Sequence, residues 1–262
     1  MSYDIIQGDC LDVMRGMADS SVDAIITDLP YGTTAIKWDT VIPLNEMWAC
    51  VRRVLKLGGV FVTTASQPFT THLIASNFEW FKYEWIWQKS MSSGFFHAKN
   101  APLKAHENVV VFSSGMIAHE GKSTARMTYN PQMVSGKPYK KNIDAKKQMK
   151  GHNMQRPSHK DFLLINDGTR CPSSVLCFKN PNHKNDHPTQ KPVALYEYLI
   201  RTYTNVGDTV LDICMGSGTT GVAAMNTGRR FIGIEREPEY VDIAQRRVGL
   251  SLAQLRLEVG NE

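Results

Sequence analysis

Two groups of residues in this chain each combine reactive side chains with a spacing that aims them at a ligand. The first is Asp28-Leu29-Pro30-Tyr31, which directly follows the apolar run Val22 to Thr27. A buried strand ending in an acid and an aromatic ring offers a planar base a surface to stack on and an acceptor for its exocyclic amine. Asp, Pro and Gly also make ordinary strand-ending turns; that explains the turn but not why acid and ring arrive together. The second group is Asp212, within Val210 to Ile213, followed by Cys214-Met215-Gly216-Ser217-Gly218-Thr219 and, 19 residues beyond Gly216, by Glu235. The two glycines allow a tight turn close to a ligand, a helix starting near Thr219 presents free N–H groups, and Glu235 can accept both hydroxyls of a ribose. Thr219 and Thr220 separate Gly218 from Gly221, so the third glycine of a dinucleotide fingerprint is missing. A ribose-bearing ligand without a pyrophosphate fits better, which points to S-adenosylmethionine.

To bring both groups to one edge the chain must alternate strands with helices. Strands are predicted at Ile5 to Gln7, Val22 to Thr27, Val60 to Thr64, Trp80 to Trp87, Val109 to Phe112, Val210 to Ile213 and Phe231 to Glu235. Helices are predicted over Leu11 to Met17, Pro43 to Leu55, Phe69 to Ala75, Val193 to Tyr203, Thr219 to Met225 and Glu239 to Arg247, with Gly58-Gly59 read as a stop. The expected fold is α/β: an open, Rossmann-like, mostly parallel sheet with helices on both faces and an antiparallel edge strand. From Ser113 to about Arg170 the rhythm breaks, and Phe162 to Ile165 is the one short apolar run there. The expected organisation is a core half over 1–114, an insert over 115–186 and a second core half over 187–262.

Charge singles out the same insert. The 262 residues carry 30 Lys plus Arg against 25 Asp plus Glu, a net +5. Residues 115–187 hold thirteen basic and five acidic residues, a net +8, which leaves 17 against 20, or −3, elsewhere. A solvated lysine-rich loop would look similar; a phosphate-contacting surface is the sharper reading. Five scattered cysteines, with no signal peptide or membrane-length apolar run, suggest a reduced, cytoplasmic protein. Cys171, Cys177, His183 and His187 are spaced too widely for a usual zinc knuckle, so no metal is expected.

Asp28-Leu29-Pro30-Tyr31 resembles the Asp-Pro-Pro-Tyr box of the amino-directed DNA methyltransferases, and Val210 to Gly221 with Phe231 to Glu235 resembles their cofactor motif. The order of catalytic box, basic insert and cofactor loop is similar to the circularly permuted beta group. Gln7-Gly8-Asp9, Thr64 to Phe69, Trp87-Gln88-Lys89, Ala105-His106-Glu107 and His187 to Pro192 extend the resemblance across both flanks. It implies an S-adenosylmethionine-dependent methyltransferase fold and methylation of adenine N6 in double-stranded DNA. Aspartate rather than serine at position 28 favours adenine N6; cytosine N4 is the alternative. A homodimer and a cognate restriction endonuclease are compatible with the family.

The resemblance also implies roles. Asp28, Leu29, Pro30 and Tyr31 form the catalytic turn, in which the Asp28 carboxylate and the Leu29 carbonyl accept the amine protons and Tyr31 stacks on the flipped base. Leu29 stands where proline is commoner, which leaves that carbonyl intact. Asp9 lies near the cofactor's adenine, with Cys10 beside it, and Glu235 holds the ribose. Asp28, Asp212, Cys214 and Gly216 to Thr219 line the methionine part, and Lys191 closes over the cofactor. On DNA, Arg126, Lys137, Lys140, Lys141, Lys146, Lys147, Lys150 and Arg156 are expected to meet phosphates. Asn130, Gln132, Asn153 and Gln155, with the two arginines, have planar groups that can read base edges. Trp38 is expected to pack in the core. RNA- and protein-modifying relatives share a similar box but usually carry the cofactor motif first. A non-catalytic DNA-binding protein has no need of Asp28, Tyr31, Gly216, Gly218 and Glu235 together.

Overall fold

The computed structural model describes residues 2–33, 39–117, 126–143, 162–181 and 190–259. They form two compact units, Met1–Asn130 with Ser174–Glu262, and Pro131–Ser173. In the larger unit the first run is β1 (Tyr3–Gln7), α1 (Cys10–Gly16), β2 (Val22–Asp28), α2 (Leu44–Val54), β3 (Leu55–Ala65), α3 (Phe69–Ser76), β4 (Phe81–Ser93) and β5 (Lys104–Ser113). The smaller unit holds β6 (Val134–Ser135), β7 (Tyr139–Ile143), β8 (Phe162–Asn166) and β9 (Thr169–Arg170). The larger unit resumes with β10 (Val175–Phe178), α4 (Val193–Tyr203), β11 (Thr209–Asp212), α5 (Thr219–Asn226), β12 (Arg230–Glu235) and α6 (Pro238–Val259).

One eight-stranded sheet, in the order β1-β12-β11-β2-β3-β5-β4-β10, organises the larger unit. Every neighbouring pair is parallel except β3 with β5 and β5 with β4. Its central strands are apolar on both faces because both are covered. Ala24 and Ile26 of β2, with Val109 and Val111 of β5, pack beneath Leu195 and Leu199 of α4, Ala223 of α5 and Ala244 of α6. Ile25, Val110 and Phe112 face the other way, toward Met14 of α1, Met47 and Trp48 of α2 and Leu73 of α3.

Several elements differ from the expectation. β4 and β5 are longer, reaching on to Ser93 and back to Lys104, and the insert carries β6 to β9. Three further differences have a physical reason. β3 begins at Leu55 and runs through Gly58-Gly59 instead of starting after them. There the chain is crowded: a Cβ on Gly58 would lie 2.5 Å from the Arg126 carbonyl oxygen, and one on Gly59 2.8 Å from that of Asp23. The glycines admit these crossings rather than stopping the strand. β10 has no counterpart among the predicted strands, and it places the antiparallel β5 two strands in from the edge, since β10 adds parallel to β4. α6 continues past Arg247 because Val248, Leu252 and Leu255 keep helical spacing against the core. No described helix is long and apolar enough to cross a membrane.

Within the smaller unit β6 pairs with β9 and β7 with β8, both antiparallel. The Arg170 guanidinium covers the Tyr139 ring at 4.9 Å.

Candidate active site

Parallel strands bring their carboxyl ends to one edge, and the chemistry gathers there. Asp9 follows β1, while Asp28, Asp212 and Glu235 end β2, β11 and β12. Glu107 reaches the same edge from near the start of β5, because that strand runs backwards. All five line a cavity of about 690 Å³, a volume that suits a small-molecule cofactor.

Asp28 is held by three side chains, one of them charged. Lys191 Nζ lies 2.6 Å from its Oδ2 and 3.5 Å from Glu107 Oε2, and Glu107 Oε1 is ion-paired with Lys89. Thr64 Oγ1 donates to Asp28 Oδ1, and the Tyr31 hydroxyl donates to the same oxygen at 2.9 Å. A line of alternating charge thus joins β2, the entry to α4, β5 and β4. Lys191 is only 9% exposed. Burial works against its charge, but Asp28 and Glu107 outweigh it and raise its pKa. Burial likewise pushes Glu107 up, and Lys191 and Lys89 overcome it to hold the carboxyl below its usual range.

The turn after β2 is fixed by Asp39. Its carboxylate accepts from the backbone N–H of Tyr31 at 2.8 Å and of Gly32 and Thr33 at 2.9 Å. The Tyr31 ring stacks on Phe69, with centroids 5.4 Å apart and planes 25° from parallel. Leu29 is buried and Pro30 lines the cavity. Trp38 lies outside the described residues.

The glycine loop is shaped by carboxylates. Asp212 is buried and accepts from Thr27 Oγ1 at 2.7 Å, Thr220 Oγ1 at 2.5 Å and the Cys214 N–H at 3.0 Å. Burial pushes its pKa up to about 6 despite those bonds, with Asp28 adding to the rise. Glu235 accepts the N–H of Gly216 and of Glu237, each at 2.9 Å. Gly216 and Gly218 have φ of +51° and +79°, conformations that favour glycine. Arg247 donates to the Ser217 carbonyl at 2.5 Å and hydroxyl at 2.7 Å, and Thr219 lines the cavity. Asp9 caps α1 by accepting the Leu11 N–H at 2.9 Å. Cys10 and Cys214 are thiol neighbours: the Cys214 hydrogen bond lowers Cys10, and the same bond with burial raises Cys214.

The buried Tyr196 hydroxyl also borders this cavity and has no hydrogen-bond partner among the described residues. A donor left open beside a cavity is what a polar ligand completes. With the glycine loop and the carboxylates of Asp9 and Glu235 on the same lining, the residues fit S-adenosylmethionine. Sequence reasoning gave no role to Tyr196, Thr64, Lys89, Glu107 or Asp39. Thr64, Lys89 and Glu107 fall in matched motifs, which was the available signal; Tyr196 reads as a core helix residue.

Of the residues expected on DNA, Lys137, Lys140 and Lys141 are exposed in the smaller unit. Arg126 is exposed in the larger unit, where it bridges to Met116. Lys146, Lys147, Lys150 and Arg156, with Asn153 and Gln155, lie outside the described residues. Asn130 is committed to structure: its amide donates to the Thr204 carbonyl at 3.1 Å and its N–H to that of Thr202 at 2.7 Å. Cys177 donates to Gln88 at 3.4 Å, and His183 and His187 lie outside the described residues.

Comparison with known proteins agrees with this geometry. A family model described as DNA methylase, covering N6 and N4 methyltransferases, matches residues 22–246. The type II methyltransferase M2.MboI of Moraxella bovis is 27% identical, the match covering 94% of this chain and 87% of that protein. M2.DpnII of Streptococcus pneumoniae is 56% identical over 62 residues, 24% of this chain and 23% of that protein. The structure of M1.HpyAVI in complex with S-adenosylmethionine is 26% identical with a TM-score of 0.61, covering 94% of this chain and 98% of that one. PvuII DNA methyltransferase, cytosine-N4-specific, shares the fold at 18% identity and a TM-score of 0.64, covering 94% of this chain and 86% of that one. The chain belongs to the S-adenosylmethionine-dependent N4/N6 DNA methyltransferase family.

Proposed function

We propose that the chain methylates N6 of an adenine extruded from double-stranded DNA, working in the cytoplasm. The observation that carries the reading is the Asp28 carboxylate, held in place by Thr64 and Lys191 and facing the same cavity as Asp212 and Glu235.

The exocyclic nitrogen of adenine is a weak nucleophile because its lone pair is delocalised into the ring. The Asp28 carboxylate and the Leu29 carbonyl are the acceptors for its two protons, favouring the pyramidal nitrogen whose lone pair is free to attack. S-adenosylmethionine supplies an electrophilic sulfonium methyl. As positive charge develops on the nitrogen, Asp28 stabilises it, the converse of an oxyanion hole, and one of the two amine protons then leaves to water so that the methylated amine ends neutral. For this the Tyr31 hydroxyl leaves Asp28 and its ring turns to stack on the base, while Lys191 shifts its bond toward Glu107, the carboxylate it already approaches at 3.5 Å. On the cofactor side, Glu235 serves the ribose, Asp9 with Cys10 beside it serves the adenine, and Asp212, Cys214, Tyr196 and the 216–219 loop surround the methionine part. Lysines of the smaller unit contact phosphates.

Expression in a methylation-free host, followed by base-modification sequencing of its DNA, tests the proposal. N6-methyladenine in one short recurrent motif is expected, and Asp28→Ala should abolish it. N4-methylcytosine in its place would overturn the choice of base. A blank genome from a chain that binds S-adenosylmethionine would move the substrate to RNA or protein.

A further inference from the structure

The hairpin joining β4 to β5 carries Phe96, the most exposed large apolar side chain among the described residues. Its stem belongs to the active site: Ser93 pairs with Lys104, and both line the cavity. Three residues further along β5 is Glu107, ion-paired to the lysine that holds Asp28. Past the stem, Gly94 takes a φ of +91° and the chain makes a tight turn over Phe95–His97. At about 3.3 Å per residue, Phe96 can reach up to roughly 20 Å from Glu107.

What the hairpin carries there is unusual for a solvated loop. Phe96 is 102% exposed and Phe95 64% exposed, with Met91 at 54% and Leu103 at 38%. Residues 90–106 include Lys99 and Lys104 and no acid. An apolar, aromatic tip on a basic stem, beside a pocket for a base, fits nucleic acid: the ring stacks and the lysines meet phosphates. A second copy fits poorly, since pairing two such tips would set like charges together.

We infer that this hairpin enters the duplex when the target base leaves, with Phe96 filling the gap in the base stack and Lys99 and Lys104 on the flanking phosphates. The inference rests on the proposed DNA substrate and adds the device that holds the base out. Extrusion costs least when the base is already unpaired, so the wedge should matter only for a paired target.

The test uses the full chain and two synthetic duplexes of the motif found by sequencing, one fully paired and one with the target adenine opposite an abasic site. Phe96→Ala should lower kcat/KM on the paired duplex by about tenfold to a hundredfold, the range expected for one lost stacking contact. On the abasic duplex it should stay within about twofold of the parent, and Phe96→Trp should restore the paired rate. Equal rates for Phe96→Ala and parent on the paired duplex would overturn the inference, as would equal losses on both duplexes. So would a change of sedimentation coefficient in Phe96→Ala, which would assign the tip to contact between copies. Failure of the parent chain to methylate either duplex would instead remove the DNA reading itself.

Discussion

Asp28 and Asp212 sit at the ends of adjacent strands with opposite surroundings. Asp28 has an ammonium 2.6 Å away; Asp212 is held by hydroxyls and an amide, and burial lifts its pKa to about 6. An unfolded aspartate titrates near 3.9. Because the folded pKa is the higher, Asp212 contributes stability in full below about pH 4 and loses it as the pH rises through about 6. Above that window its ionisation costs the fold on the order of 3 kcal/mol. A carboxylate kept ionised at that cost is ready for a cation, and S-adenosylmethionine carries positive charge on both sulfur and amine. Asp212→Asn removes the titration while keeping an acceptor for Thr27. Urea unfolding of both proteins should therefore show the variant gaining about 3 kcal/mol on the parent between pH 4 and pH 8. A difference that stays constant over that range would mean Asp212 ionises like an ordinary aspartate.

At the scale of elements, α5 and α6 meet through glycine. A Cβ on Gly221 would lie 2.6 Å from Val248 Cγ2 and 2.7 Å from Phe231 Cε1, in a layer where all three residues are buried. Alanine would gain about 1 kcal/mol of helix propensity at that position. Overpacking a closed core costs about 1–3 kcal/mol, and neither neighbour has room to retreat. The second effect should win: Gly221→Ala is expected to lower stability by about 1 kcal/mol net, read as a lower melting temperature. An unchanged or higher melting temperature would show that the helices can separate. Periodicity reported α5 and β12 well, since their apolar runs repeat locally. It could not report what depends on partners far along the chain. Gly58-Gly59 reads as a breaker until Asp23 and Arg126 cross it. The four residues of β10 have no period of their own and become a strand only by pairing with β4. Lys89 and Glu107 look like solvent-facing charges until Lys191, 84 positions beyond Glu107, is set between Asp28 and Glu107. Asp28, Asp212 and Glu235 were legible because each follows directly from the strand that carries it.

At the scale of the whole molecule, charge and chemistry are divided between units. Residues 131–173 hold nine Lys and Arg against three acids, a net +6, and the remaining residues carry 21 against 22, or −1. The cavity and the Phe96 hairpin belong to the larger, nearly neutral unit. Affinity for DNA should then be separable from handling of the base. Each phosphate neutralised by a lysine releases counterions, which makes log K fall with log salt at a slope of about 0.9 per contact. Lys137, Lys140 and Lys141 are exposed, so replacing all three with alanine should flatten that slope by up to about 2.7 while S-adenosylmethionine affinity stays unchanged. Fluorescence anisotropy on a duplex lacking the motif, measured across a salt series, gives the slope directly. An unaltered slope would show that these lysines are a solvated surface and move the phosphate contacts to other residues. A slope change together with weakened cofactor binding would mean that the units do not act independently. Because the lysines act on any sequence, the triple variant should also keep the parent's motif preference, leaving specificity to groups other than these charges.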